Sequence, residues 1–142
     1  MTNRTVYNLF VYGSLRSGFQ SPAYEYVSRY FSLVGNARVK GKLYDMGEFP
    51  AGVPADADAW ISGELYQISN PQEFSWAMGQ LDDYEGVFAE PGETSHYYRA
   101  LTTVVCNDME LEAWIYWYRG DVNGRPVISS GDMLEYLRSK NP

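Results

Sequence analysis

The strongest constraint on the fold of this chain lies near its C-terminal end. Tyr97 to Cys106 and Leu111 to Tyr118 are two β-branched and aromatic runs joined by a short turn around Asn107-Asp108. Two such runs so close together read as a hairpin, and a hairpin commits its strands to antiparallel pairing. Three further segments have strand character: Val6 to Tyr12, apolar on both faces and therefore read as buried on two sides, and Ala37 to Tyr44 and Trp60 to Ile68, which alternate. Helical signals are fewer. Ala23 to Phe31 reads as a short helix with Tyr26, Val27 and Tyr30 on one side. Ser130-Gly131-Asp132 opens another that carries Met133, Leu134 and Leu137. The stretch holding Gly47, Pro50, Gly52 and Pro54 is expected to carry no regular element. Strands outnumber helices and are not separated by βαβ crossovers. The pattern predicts an antiparallel or mixed sheet closing into a barrel with helices at its edge, and it disfavours a doubly wound nucleotide fold.

The best-marked helix starts at Asn70-Pro71-Gln72-Glu73, with a capping Asn, a Pro at the first helical position and a Glu at the capping-box position. Phe74, Ala77, Met78 and Leu81 follow at helical spacing as an apolar stripe. If the helix continues, Glu85 stands eleven residues after Phe74, within about 20° of that stripe at 100° per residue, while Asp83 falls on the opposite face. An inward carboxylate loses hydration, its pKa rises from about 4.3 toward neutrality, and it becomes suited to general-base work. The competing reading ends the helix at Asp82 and leaves Glu85 solvated.

The other chemistry-bearing residues exclude more than they suggest. The 142 residues suffice for one domain, taken as 1–142, with 45% apolar and 20% charged residues. Eleven basic against eighteen acidic side chains give a net charge of −7, which argues against nucleic acid or an anionic membrane surface as partner. One Cys and one His rule out a disulfide framework, a multi-cysteine zinc site and any multi-histidine site. No signal peptide or spanning segment is read, so the expectation is a soluble cytoplasmic protein. The Gly13 to Gly18 loop follows a buried strand; its glycines alone read as a surface turn, and its position is also one where backbone N–H groups are free to hold an anion. It lacks the Lys-Ser/Thr of a phosphate loop, and Arg16 could assist a carboxylate there. Ser14, His96 and an aspartate can be drawn as a triad, but no Gly-x-Ser-x-Gly elbow surrounds Ser14. Cys106 reads as a small buried hydrophobe. The pairs Asp56 and Asp58, and Asp82 and Asp83, read as solvated acidic surface rather than cation ligands.

Val11-Tyr12-Gly13-Ser14-Leu15-Arg16, taken with Leu81-Asp82-Asp83-Tyr84-Glu85-Gly86, carries a resemblance. Gly41 to Tyr44, Phe49-Pro50-Ala51, Gly63-Glu64-Leu65-Tyr66, Tyr98-Arg99, Ala113-Trp114-Ile115-Tyr116 and Ile128 to Asp132 extend it in order along nearly the whole chain. The sequence resembles the gamma-glutamylcyclotransferase-like superfamily, in particular its small YtfP-type bacterial members. The resemblance implies an α+β fold: a small mixed, mostly antiparallel β-barrel flanked by short helices, with a cavity at one end. It implies Glu85 as the catalytic residue, chosen independently by the helical periodicity. It implies Tyr12, Gly13, Ser14 and Leu15 as the substrate-holding loop. Tyr98 and Tyr116 are tyrosines that could present hydroxyls to the cavity or simply pack, and Tyr98 is assigned to substrate binding. The implied reaction is cofactor-independent and metal-free: the α-amine of a small gamma-glutamyl compound closes 5-oxoproline and expels an amine or amino acid. Many small relatives carry Asn-His shortly after the loop; Gln20-Ser21-Pro22 stands here, so the substrate is not carried over. The alternatives are a non-catalytic module binding a carboxylate-bearing metabolite and an interaction protein using exposed aromatics. Oligomeric state is not readable from the sequence.

Overall fold

A computed structural model describes residues 6–13, 22–47, 50–55, 58–85, 97–133 and 135–136. The chain runs β1 (Asn8–Val11), α1 (Pro22–Tyr30), β2 (Phe31–Asp45), β3 (Pro50–Pro54), β4 (Trp60–Ile68), a 3-10 turn (Pro71–Glu73), α2 (Phe74–Glu85), β5 (Tyr97–Cys106) and β6 (Met109–Tyr118). The strands are ordered β3-β2-β4-β1-β6-β5, and β2 also pairs with β5. Five strands therefore close a barrel and β3 hangs from β2 outside it. The β1–β6 pairing is parallel and the others are antiparallel. This is the small mixed barrel that the sequence predicts.

The expected hairpin forms, pairing Tyr97 with Tyr118 through to Cys106 with Met109, so its second strand begins at Met109 rather than Leu111. Its turn residues Asn107 and Asp108 both take positive φ (53° and 62°), the backbone of a type I′ turn that matches strand twist. β4 has the predicted bounds. β2 is longer than expected, starting at Phe31 directly after α1 rather than at Ala37; a register shift between Leu33 and Gly35 interrupts its alternation. A second correction concerns Pro50–Pro54, which forms a strand against Gly41–Asp45 of β2. Two prolines are tolerated because β3 is an edge strand with Pro at each end.

Alternation divides the apolar residues into two layers. Phe10, Tyr12, Val39, Leu43, Ile61, Leu65, Val104 and Ile115 fill the barrel. Leu9 and Val11 face out of the barrel and are covered by Val27 of α1 and by Phe74, Ala77, Met78 and Leu81 of α2. That double covering is why the segment around β1 is apolar on both faces. Tyr30 is half-buried, and the side chain of Tyr26 lies outside the described residues. The Asn70 side chain accepts from the Gln72 backbone N–H at 3.1 Å, ahead of Pro71, as its sequence indicates, but the first turn, Pro71–Glu73, is 3-10 and α2 proper starts at Phe74. The last helical turn opens at Met133, which is buried, with the Asp132 carboxylate accepting from the Glu135 N–H at 3.3 Å; Leu134 and Leu137 lie outside the described residues. Among the described residues no helix is long and apolar enough to cross a membrane.

Candidate active site

Parts of five strands come together at one end of the barrel. β1 delivers Tyr12 and Gly13. Tyr12 is buried, and its hydroxyl donates to the backbone carbonyl of Tyr116 on β6. Its ring lies against Gly52 of β3, so closely that a Cβ there would stand 2.7 Å from the phenol carbon Cζ. Gly13 sits beside Pro50, the first residue of β3, with a Cβ position 3.2 Å from Pro50 Cγ. The Pro50 carbonyl accepts from the Tyr97 hydroxyl at 3.1 Å, which brings in the start of β5. Opposite Pro50, the buried Asp45 carboxylate accepts from the Gly47 N–H at 2.8 Å and from the Tyr136 hydroxyl. The absence of a side chain at Gly13 and Gly52 is thus what lets β1 and β3 approach here.

α2 is joined to the same strands from the outer layer, through Asp82. It runs through Asp82 to end at Glu85, so the reading that stops it at Asp82 is overturned at the level of the backbone. Phe74, Ala77, Met78 and Leu81 are buried and Asp83 is exposed, as the stripe predicts.

Asp82 is a correction. Expected on a solvated acidic surface, it is 2% exposed. Arg99 grips it through both carboxylate oxygens, Nε to Oδ1 at 2.9 Å and Nη2 to Oδ2 at 3.1 Å, and the Tyr116 hydroxyl donates to Oδ1 at 2.7 Å. Arg99 and Tyr116 are directly opposed on β5 and β6, so one cross-strand pair supplies all three donors. The Arg99 guanidinium also stacks on Trp114, 4.6 Å from the ring centroid, and the Trp114 Nε1–H donates to the Val6 carbonyl at 2.9 Å. Position 82 follows Met78 by four residues, so the same period that buries the stripe buries this carboxylate. A buried acid must find charged donors, and Arg99 and Tyr116 provide them.

The predicted site residues divide accordingly. The structure joins Tyr12 and Gly13 to β3, β5 and β6, and the Tyr12–Tyr116–Asp82 chain of hydrogen bonds links them to the final turn of α2. Glu85 holds the last position of that helix, and its side chain lies outside the described residues. Ser14, Leu15, Arg16, His96 and Asp56 also lie outside them. Tyr98 is half-buried and packs on the barrel interior, with the Arg119 guanidinium 5.3 Å from its ring centroid. Tyr116 spends its hydroxyl on Asp82. Cys106 is buried and free, as expected. Asp58 is exposed, and among the described residues no group of three His, Cys, Asp or Glu side chains could hold a metal. A groove of about 510 Å³ opens at the other end of the hairpin, lined by Asn36, Arg38, Ser62, Asn107, Asp108 and Asp132, and no predicted site residue borders it.

Comparison with known proteins agrees with this architecture. The family described as "Gamma-glutamyl cyclotransferase, AIG2-like" matches residues 9–135. The chain is 29% identical over 128 residues to the gamma-glutamylcyclotransferase family protein YtfP of Escherichia coli (strain K12), covering 89% of this chain and 96% of that protein. It is 29% identical over 115 residues to the gamma-L-glutamyl-butirosin B gamma-glutamyl cyclotransferase of Niallia circulans, covering 80% of this chain and 68% of that protein. The solution structure of E. coli YtfP superposes with a TM-score of 0.61 at 27% identity, over 92% of this chain and 98% of that one. YkqA from Bacillus subtilis superposes with a TM-score of 0.69 at 26% identity over 97% of this chain, which spans 44% of YkqA.

Proposed function

The chain belongs to the gamma-glutamyl cyclotransferase, AIG2-like family, and from that premise we propose that it releases 5-oxoproline from a small gamma-glutamyl compound without a cofactor. The observation that carries this reading is convergence. The strand leading into the Tyr12–Leu15 loop and the helix ending at Glu85 are tied together through Tyr116, whose carbonyl holds Tyr12 and whose hydroxyl holds Asp82. The substrate class is supported by a relative named for gamma-L-glutamyl-butirosin B.

In the proposed mechanism the substrate supplies its own nucleophile. Its α-ammonium first gives a proton to the Glu85 carboxylate. The neutral amine then attacks the gamma-carbonyl carbon and closes a five-membered ring. As the tetrahedral intermediate collapses, the bond to the leaving nitrogen breaks and Glu85 returns the proton to that nitrogen. The ring nitrogen then gives up its second proton through Glu85 to the departing amine, which leaves as an ammonium. The products are 5-oxoproline and a free amine, and the carboxylate is regenerated. Backbone N–H groups from Gly13 to Leu15 hold the glutamyl portion and the developing oxyanion, a role in which one lost donor costs about 3 kcal/mol. Holding the flexible glutamyl chain in its ring-closing shape supplies rate as well, on the order of 7–11 kcal/mol at best. Tyr12 anchors the end of β1 to β6, and Tyr98 is assigned to substrate binding.

A panel of gamma-glutamyl amines and gamma-glutamyl amino acids, assayed for 5-oxoproline, tests the reading. The wild-type protein turns over at least one member, and Glu85→Gln keeps the fold while losing at least a thousandfold in kcat. Full turnover by Glu85→Gln rejects the mechanism. Binding across the panel with no product favours a metabolite-binding module on the same fold.

A further inference from the structure

We propose that Asp82, Arg99 and Tyr116 form a positioning clamp that sets the last turn of α2 against the end of β1, and with it the reach between Glu85 and the loop after Tyr12. The inference rests on the reading of Glu85 as the base. Asp82 touches no substrate in this proposal; it acts through the helical turn that carries Glu85.

Three features single out the cluster. First, it is directional where the rest of the α2 contact is not. Phe74, Ala77, Met78 and Leu81 hold the helix to the barrel by apolar packing, which fixes a face but resists small sliding weakly. A bidentate Arg–carboxylate pair fixes distance and angle together. Second, Tyr116 works at both ends, since its hydroxyl holds Asp82 while its carbonyl holds Tyr12. The two elements that must meet at one substrate are thereby referred to a single residue of β6. Third, the Arg99 side chain is itself held, stacked on a Trp114 that is pinned to Val6. Stability alone gives no reason for such an arrangement, because apolar residues of similar volume commonly stabilise a buried site as well as an ion pair does.

Tyr116→Phe is the informative change. It removes one donor from Asp82, keeps the ring, and keeps the carbonyl that accepts from Tyr12. A misplacement near 1 Å can cost about a hundredfold in rate; for the loss of one of three donors the expected fall in kcat is about tenfold, with KM within about twofold. Asp82→Asn should act in the same direction. Val104→Ala, a cavity variant in the barrel interior far from the mouth, serves as a control: it lowers the melting temperature and leaves kcat unchanged. Wild-type kcat in both clamp variants overturns the proposal, as does an equal loss of kcat in Val104→Ala. Amide hydrogen exchange supplies a readout independent of turnover. In Asp82→Asn, exchange at residues 82–85 should accelerate at least tenfold relative to the β2–β4 ladder; unchanged protection there refutes the clamp. If the wild-type protein turns over no gamma-glutamyl compound, the functional reading fails, and the exchange result still decides whether the clamp holds α2.

Discussion

Replacing Arg99 by Met would test whether Asp82 is a buried charge dependent on one partner. The Asp82 side chain is 3% exposed and that of Arg99 26%. Arg99→Met keeps most of the aliphatic stem over Trp114 and removes two charge-assisted hydrogen bonds, leaving the carboxylate with the Tyr116 donor. Breaking a buried pair from one side costs about 3–5 kcal/mol, because the stranded charge keeps its desolvation penalty. Arg99 is one-quarter exposed and Tyr116 still donates, so the lower end applies, about 3 kcal/mol. For 142 residues, an unfolding entropy of roughly 2.1 cal/mol/K per residue converts this to a melting temperature lower by about 10 °C. Urea titration and thermal melts followed by circular dichroism would read both quantities. The double variant Arg99→Met with Asp82→Asn removes the stranded charge and retains an oxygen to accept from Tyr116. It should recover about 1–2 kcal/mol relative to Arg99→Met alone, a strongly non-additive cycle. A cost below about 1 kcal/mol for Arg99→Met, as surface pairs show, or a double variant equal to the sum of the singles, would refute the reasoning.

Two further substitutions probe the mouth and the helix start. Gly52→Ala places a methyl group 2.7 Å from the Tyr12 ring; overpacking of this kind costs about 1–3 kcal/mol. It should lower both the melting temperature and 5-oxoproline release, and a variant with wild-type values for both would show that Tyr12 can move freely. Asn70→Ala removes the side-chain acceptor for the Gln72 N–H and should cost about 1 kcal/mol, lowering the melting temperature by about 3 °C without altering kcat.

Much of the architecture can be read from local pattern because local pattern produces it. β4 and the hairpin have alternating or continuous apolar character bounded by turn residues, and the α2 stripe is buried residue for residue. The misses have equally physical causes. β3 is hidden from a sequence reading because prolines argue against a strand, and they cease to do so only at an edge, which is a property of the assembled sheet. The first part of β2 is hidden because Ser32, Leu33 and Val34 are all exposed, so alternation does not begin until after the irregularity near Gly35. The burial of Asp82 has a signal in the sequence. An acid at a stripe position four residues after Met78 signals a buried partner, yet nothing local identifies Arg99 and Tyr116, brought beside it only by the fold. The loop and Glu85 are proposed from motif alone, whereas the hydrogen bonds joining the elements that carry them cannot be read from sequence, because they link distant parts of the chain.

The placement of β1 sets an order on assembly. Leu9 has Tyr66 of β4 on one side and Trp114 of β6 on the other, so the strand that feeds the loop is flanked by partners made much later. A chain synthesised from its N-terminus exposes this apolar segment early and can enclose it only after β6 has emerged. Such distant pairings make ring closure slow, and the waiting segment is the one most exposed to self-association in the meantime. Truncations that stop short of β6 should therefore fail as insoluble protein rather than persist as smaller folded barrels.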